Sequence, residues 1–314
     1  MTETYDRATG CLLGLACGDA LGRPVEFTTA SDIDRRHGQV TEMLADGTHG
    51  QPAGTVTDDT ELALCIAESL VANGGFDPAD VADRFVRWLD GGPFDVGLMT
   101  HDAIRRLRDG AAPAAAGRAV WESRPEGSNA GNGSVMRCAP HAVAFADDPT
   151  LREVSRTSSA ITHADPRCTW GCAALNLTLA GLLREEPAPL SAALERVDGA
   201  PEELLDALDP VAAAERRRPF EDDLASTGYV VDTLQTALHD GLLADTAEAA
   251  VVRAVDRGGD ADTVGAVAGA VAGARFGAGA LPDRWLDPIP ETDRLRELAG
   301  ALAADEFDPG DVGA

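Results

Sequence analysis

The sequence predicts an all-α fold on three observations: apolar residues recur at helical spacing along most of the chain, alternating strand-like runs are nearly absent, and two segments carry a glycine every four residues. Gly10, Gly14 and Gly18 share one helical face, and Gly265, Gly269 and Gly273 share another. Each glycine inside a helix costs about 1 kcal/mol relative to alanine. The repeats therefore predict an inner pair of helices packed backbone to backbone. Neither run follows a predicted strand, so a phosphate-cradling loop is a poor alternative. Further along, Leu62, Cys65, Ile66 and Leu70 form an amphipathic stripe that Asn73-Gly74-Gly75 ends. Similar patterns cover 81–89, 103–107, 151–161, 169–183, 229–243 and 246–255. The stretch 185–226 is acidic, alanine-rich and interrupted by prolines, which predicts short peripheral helices. Its Arg216-Arg217-Arg218 run reads as a solvated patch cancelled by Glu215, Glu221, Asp222 and Asp223. Without a linker to divide it, 1–314 reads as a single domain with a frayed tail over 303–314.

The 314 residues are 44% hydrophobic, enough for a sizeable core and too apolar for a disordered chain. The net charge is −27, and lysine is absent, so every fixed cation is an arginine. Such a field excludes general nucleic-acid binding and an electrostatic membrane anchor. It predicts a halophilic protein that needs salt to screen its own repulsion. A small anionic ligand remains possible where metals and backbone N–H groups supply local positive charge. Residues 1–6 lack the pattern of a secretory signal, and Arg275 interrupts the apolar run 264–274 well short of the roughly 20 residues that span a bilayer. A cytoplasmic protein without a membrane helix is expected. The six cysteines lack metal or disulfide spacing and read as buried thiols.

Two acidic clusters carry the chemistry. Thr57-Asp58-Asp59 precedes the amphipathic stripe, and Asp260-Ala261-Asp262-Thr263 opens the second glycine-striped helix. Each alone reads as a helix cap, and Asp58 with Glu61 has capping-box spacing. Brought together, their oxygens suit hard cations such as Mg²⁺, with room for a shared site for two ions. Glu26 lies in a proline-containing turn. The Ser128–Ser134 stretch, poor in side-chain bulk, can act as an ordinary turn or as an anion-binding nest with Arg137 close by. His163, before Ala164-Asp165-Pro166, reads more readily as a structural histidine than as a catalytic one.

In this order, the blocks Gly14-Leu15-Ala16-Cys17-Gly18-Asp19-Ala20-Leu21-Gly22, Thr57-Asp58-Asp59-Thr60, Gly131-Asn132-Gly133-Ser134-Val135-Met136-Arg137, Thr162-His163, Gly228-Tyr229-Val230-Val231-Asp232-Thr233-Leu234 and Gly259-Asp260-Ala261-Asp262-Thr263 resemble the ADP-ribosylglycohydrolase family. The resemblance spans about Asp6 to Phe276. It implies a compact, mostly orthogonal helical fold with a binuclear Mg²⁺ or Mn²⁺ centre in a cleft. Thr57, Asp58, Asp59, Asp260, Asp262 and Thr263 would be the metal ligands, and Glu26 and Asp95 the catalytic carboxylates. The loop of Gly131, Asn132, Gly133 and Ser134 would hold a diphosphate, with His163 and Tyr229 near the adenosine. The implied reaction is hydrolysis of the glycosidic bond between ADP-ribose and an arginine or serine side chain, or a small conjugate. Two other classes stay open: a noncatalytic ADP-ribose-binding or structural member of the family, and a two-metal phosphohydrolase.

Overall fold

The all-α expectation holds. The computed structural model describes residues 3–147, 149–215, 224–304 and 306–310, and β pairing among them is confined to isolated bridges. The first half of the chain forms α1 (Glu3–Gly22), α2 (Ala30–His37), α3 (Asp58–Asn73), α4 (Pro78–Asp90), α5 (Leu98–Arg108), α6 (Pro113–Ser123), α7 (Ala139–Ala144) and α8 (Leu151–Ala160). The second half forms α9 (Pro166–Leu183), α10 (Pro189–Leu194), α11 (Glu202–Glu215), α12 (Val230–Leu243), α13 (Ala247–Asp256), α14 (Ala261–Phe276), α15 (Asp283–Leu286) and α16 (Thr292–Ala304).

The glycine faces of α1 and α14 meet. A Cβ placed on Gly10 would lie 2.3 Å from the Gly273 carbonyl oxygen, on Gly14 2.1 Å from that of Gly269, and on Gly18 1.9 Å from that of Gly265. Real side chains do not approach that closely, so only glycine admits this contact. The pairing runs antiparallel, and its register has a consequence for function. It sets Gly22, the last residue of α1, against Ala261, the first of α14. Helix α14 is buried on every side from Ala261 to Ala274, and α9 from Cys168 to Leu183, as helices apolar all round must be.

Helix α3 begins where the acidic cluster predicts it. Thr57 is its N-cap, accepting from the Asp59 N–H, and Gly74 in a left-handed conformation ends it. The Asp58–Glu61 capping box does not form. The Glu61 carboxylate instead accepts from Trp88 Nε1 at 2.6 Å, while its own N–H bonds the Thr57 carbonyl. Within 185–226, helices α10 and α11 bury Leu190, Leu204 and Leu208 completely. The triplet Arg216-Arg217-Arg218 lies outside the described residues. The tail differs from the frayed expectation over 306–310: the Phe76 N–H bonds the Asp308 carbonyl, the Asp308 N–H bonds that of Gly74, and Phe307 packs edge-on against Phe145. Backbone pairing and a buried ring tie this stretch down. Among the described residues no helix is long and apolar enough to cross a membrane.

Candidate active site

The glycine-ladder register brings the end of α1 and the turn after it to the start of α14, which places Glu26 beside Asp260 and Asp262. Carboxylate oxygens of these three residues lie within 4.8 Å of one another. Helix α3 is fixed to the same place by Asp19, which is wholly buried on α1. Its carboxylate accepts from the Thr57 N–H at 3.0 Å, the Thr57 hydroxyl at 2.9 Å, and the N–H and hydroxyl of Thr60. The start of α3 is thus pinned to the end of α1, which brings Asp58 into the lining of a cleft of about 460 Å³, with Asp59 buried beside it. Thr57 spends its single hydroxyl proton between Asp19 and Asp59 Oδ2, 3.1 Å away. Thr263 lines the cleft beside Asp262.

Two loops complete the walls. Asp95 lies before Gly97, whose N–H donates to Asp58 Oδ2 at 3.3 Å. His49 Nε2 is 2.6 Å from Glu26 Oε2 and 3.9 Å from Asp95 Oδ2. The loop bearing His49 is held from below by the buried guanidinium of Arg23, which donates to the carbonyls of Thr55, Asp46 and Pro52, each at 3.0 Å. Opposite, Asn132 Nδ2 donates to Asp260 Oδ2 at 2.7 Å and to Thr233 Oγ1 at 2.9 Å, joining the glycine loop to the acidic cluster. Gly131 and Gly133 line the cleft with His163 behind them; a Cβ on Gly133 would lie 2.9 Å from the imidazole.

Arg137 and Ser134, expected beside the diphosphate, are buried behind the loop. Arg137 is turned into the core, where NH1 donates to the Gly133 carbonyl at 2.7 Å, NH2 donates to Thr162 Oγ1, and the guanidinium stacks on Phe85. It supports the loop from behind and does not face an anion. The Ser134 hydroxyl is also buried, accepting from Ser159. Tyr229 caps α12 and pairs with Gly131 in an isolated bridge; its hydroxyl donates to Glu203 at 2.6 Å and accepts from Arg167 at 3.2 Å.

The ADP-ribosylglycohydrolase family model matches residues 1–311. The chain belongs to the ADP-ribosylglycohydrolase family. It is 34% identical over 309 residues to the ADP-ribosyl-[dinitrogen reductase] glycohydrolase of Rhodospirillum rubrum, covering 95% of this chain and 98% of that protein. It is 35% identical over 314 residues to an ADP-ribosylarginine hydrolase of Pseudomonas putida, covering 96% of this chain and 78% of that one. A solved structure described as an ADP-ribosylglycohydrolase-related protein complex superposes with a TM-score of 0.77 at 35% identity, over 96% of this chain and 99% of that one.

Burial governs the protonation of the acids gathered at this cleft. Desolvation, then the neighbouring Asp95, Asp260 and Asp58, push the Glu26 carboxyl up to about 9. Burial raises Asp58, Asp59 and Asp262 well above the ordinary carboxylate range, reinforced by the acids around each. Asp19 is raised to about 6, held from going higher by its four donors. Burial lowers His163 to about 3, with Arg137 and Arg124 adding to the effect, so its ring is neutral. Thr162 Oγ1 accepts from Arg137 and lies 2.8 Å from His163 Nδ1, which fixes the imidazole with its Nε2 edge toward the glycine loop.

The site fits cations. Asp59 Oδ1 and Asp262 Oδ1 are buried oxygens without a hydrogen-bond partner among the described residues. Buried carboxylate oxygens are rarely left so, and an all-oxygen donor set is the chemistry of Mg²⁺ and Mn²⁺. Sequence reasoning named the six cluster residues, yet it missed Asp19 and His49 as parts of the site. For Asp19 a signal existed, a lone carboxylate within an otherwise apolar and glycine-rich helix. For His49, in Asp46-Gly47-Thr48-His49-Gly50, the sequence offers none.

Proposed function

We propose that this chain hydrolyses the glycosidic bond joining ADP-ribose to a protein side chain, arginine foremost, using two Mg²⁺ or Mn²⁺ ions, in the cytoplasm. The observation that carries the reading is the convergence of the α3 and α14 starts, with Asp58, Asp260 and Asp262 lining one cleft and the orphaned oxygens of Asp59 and Asp262 buried at those starts. The printed names of two relatives, one acting on dinitrogen reductase and the other on ADP-ribosylarginine, support a protein-linked arginine. Asp58, Asp59, Asp260 and Asp262, with Thr57 and Thr263, would hold the cations. When bound, the ions supply charge against the diphosphate and Lewis acidity toward ribose and water oxygens.

The chain's own residues do the rest. Backbone N–H groups at Gly131 and Gly133 face the diphosphate from a loop that Arg137 and Asn132 hold in shape. Tyr229, across the loop, offers its ring to the adenine. Glu26, ionised once bound cations offset the acids around it, takes a proton from the attacking water and returns it to the departing nitrogen, while water oxygen bonds C1″ as the C1″–N bond breaks through an oxocarbenium-like state. His49 orients the Glu26 carboxylate, and Asp95 faces the guanidinium of the leaving arginine. The buried walls around these groups exclude competing water.

The test is a pair of titrations on Asp58→Asn, Asp262→Asn and the double variant: calorimetric Mg²⁺ binding, and release of ADP-ribose from arginine-linked, serine-linked and O-acetylated substrates. Ligands of one site lose function non-additively, since the second substitution has little left to remove. Near-normal turnover and two-ion binding in either single variant would return both clusters to helix caps.

A further inference from the structure

Among the described residues four large apolar side chains are exposed: Phe27, Val71, Phe94 and Leu98. Three of them stand beside the acids of the cleft in sequence. Phe27 follows Glu26, Phe94 precedes Asp95, and Leu98 follows Gly97. Phe94 rests against the His49 ring, centroids 5.5 Å apart. Phe27 and Leu98 have no such use: they line the cleft mouth with 73% and 75% of their surface open to water.

Phe27 is also held in a left-handed backbone conformation, φ +60°. Its N–H bonds the Gly259 carbonyl at 2.6 Å, and the next N–H bonds the Val25 carbonyl at 3.0 Å, so both neighbours enforce it. A bulky side chain is unfavourable in that region, whereas glycine or asparagine adopts it readily. Either would give Glu26 the same position. What phenylalanine adds is only the ring, and in the free chain the ring faces water.

We infer that Phe27 and Leu98 form an apolar clamp for the polypeptide flanking the modified side chain, so that the protein-linked substrate is distinguished from a free ADP-ribosyl amino acid. The inference rests on the reading proposed above. The ribose and diphosphate present oxygen and gain little from an apolar rim. The aromatic ring proposed for the adenine, Tyr229, pairs with Gly131 on the glycine-loop side. What remains attached to the reacting bond, and reaches outward past Glu26 and Asp95, is the target chain. The acids at the mouth, on a chain of net charge −27, favour a segment with basic residues around the modified position.

The experiment compares Phe27→Asn, which keeps the backbone conformation, with Leu98→Ser, on the exposed first turn of α5. Each is assayed on an arginine-ADP-ribosylated protein and on free ADP-ribosylarginine, with ADP-ribose affinity measured alongside. The expected result is a fall of about tenfold or more in kcat/KM on the protein, carried by KM, with the free conjugate changed less than about twofold and ADP-ribose affinity unchanged. Thermal unfolding of Phe27→Asn is expected at or above that of the parent. An equal fall on both substrates, lost ADP-ribose affinity as adenine stacking would give, or unchanged rates on the protein overturns the clamp. A parent protein that releases ADP-ribose from neither substrate overturns the function reading itself, and the clamp with it.

Discussion

Asp19 illustrates how a residue outside the predicted site governs it. It accepts two backbone and two hydroxyl hydrogen bonds from the first turn of α3, and no donor of its own is required. An asparagine would turn an NH₂ group toward at least one of these donors. Asp19→Asn is therefore expected to weaken Mg²⁺ binding by about 10- to 100-fold, as loss of ligand-orienting partners commonly does, while leaving far-UV helicity intact; calorimetry decides. Tyr229 allows a sharper division of roles. If its ring stacks on adenine, Tyr229→Phe keeps ADP-ribose affinity and Tyr229→Ala loses about tenfold or more. Should Tyr229→Phe instead carry the whole loss, the hydroxyl bonds to Glu203 and Arg167 matter and the ring does not. These residues differ in legibility for a physical reason. Asp58 and Asp262 sit in clusters at helix starts, where composition alone singles them out. His49 owes its place to a loop clasped by Arg23 through carbonyl bonds, and such a clasp leaves no periodic trace in the sequence.

At the scale of elements, the glycine ladder is the feature that was most legible, because a repeat of four is visible in one dimension and has one economical structural meaning. It also gives the cleanest stability test. Gly14→Ala would drive a Cβ to 2.1 Å from a backbone oxygen, which only separation of α1 and α14 relieves. A loss of about 3 kcal/mol, the upper part of the range for overpacking, is expected in denaturant unfolding. Gly279→Ala is the control: no heavy atom lies within 4 Å of its Cβ position, and the change should stay within about 0.5 kcal/mol. Because the ladder sets Gly22 against Ala261, any Gly14→Ala protein that folds should also bind Mg²⁺ less well. The helix start at Thr57 was readable from its cap. The docking of 306–310 was not, since it depends on a pairing with Gly74 and Phe76 more than 200 residues away along the chain.

For the whole molecule, charge is the governing quantity at two depths. Outside, net charge −27 acts over a Debye length of about 10 Å at 0.1 M salt and about 3 Å at 1 M, so the melting temperature is expected to climb through a KCl series. A melting temperature indifferent to KCl would remove the halophilic proposal. Inside, the acids of the cleft repel one another without cations, and the sign of the resulting pH dependence follows from linkage. The buried His141 and His163, lowered to about 4 and about 3, are neutral in the folded chain, whereas in the unfolded chain they keep part of their protons up to about pH 7.5, so only above that do they add no slope. Asp19, raised to about 6, has released most of its proton by then. Glu26, raised to about 9, and Asp58, Asp59 and Asp262, raised well above the usual range, hold protons in the folded chain that the unfolded chain has given up. Where the folded state binds more protons, stability falls as pH rises. In chelator, the melting temperature should therefore decline from about pH 7.5 to 9 at constant high KCl. Excess Mg²⁺ takes over the task of the protons and binds better as they leave, so its stabilising effect should grow over the same interval. Asp262→Asn removes one of the repelling groups and should flatten the decline in chelator while abolishing most of the Mg²⁺ gain. A flat profile in chelator for the parent protein would mean that these carboxylates are already relieved of one another without cations, and the case for a metal centre at this cleft would lose its electrostatic basis.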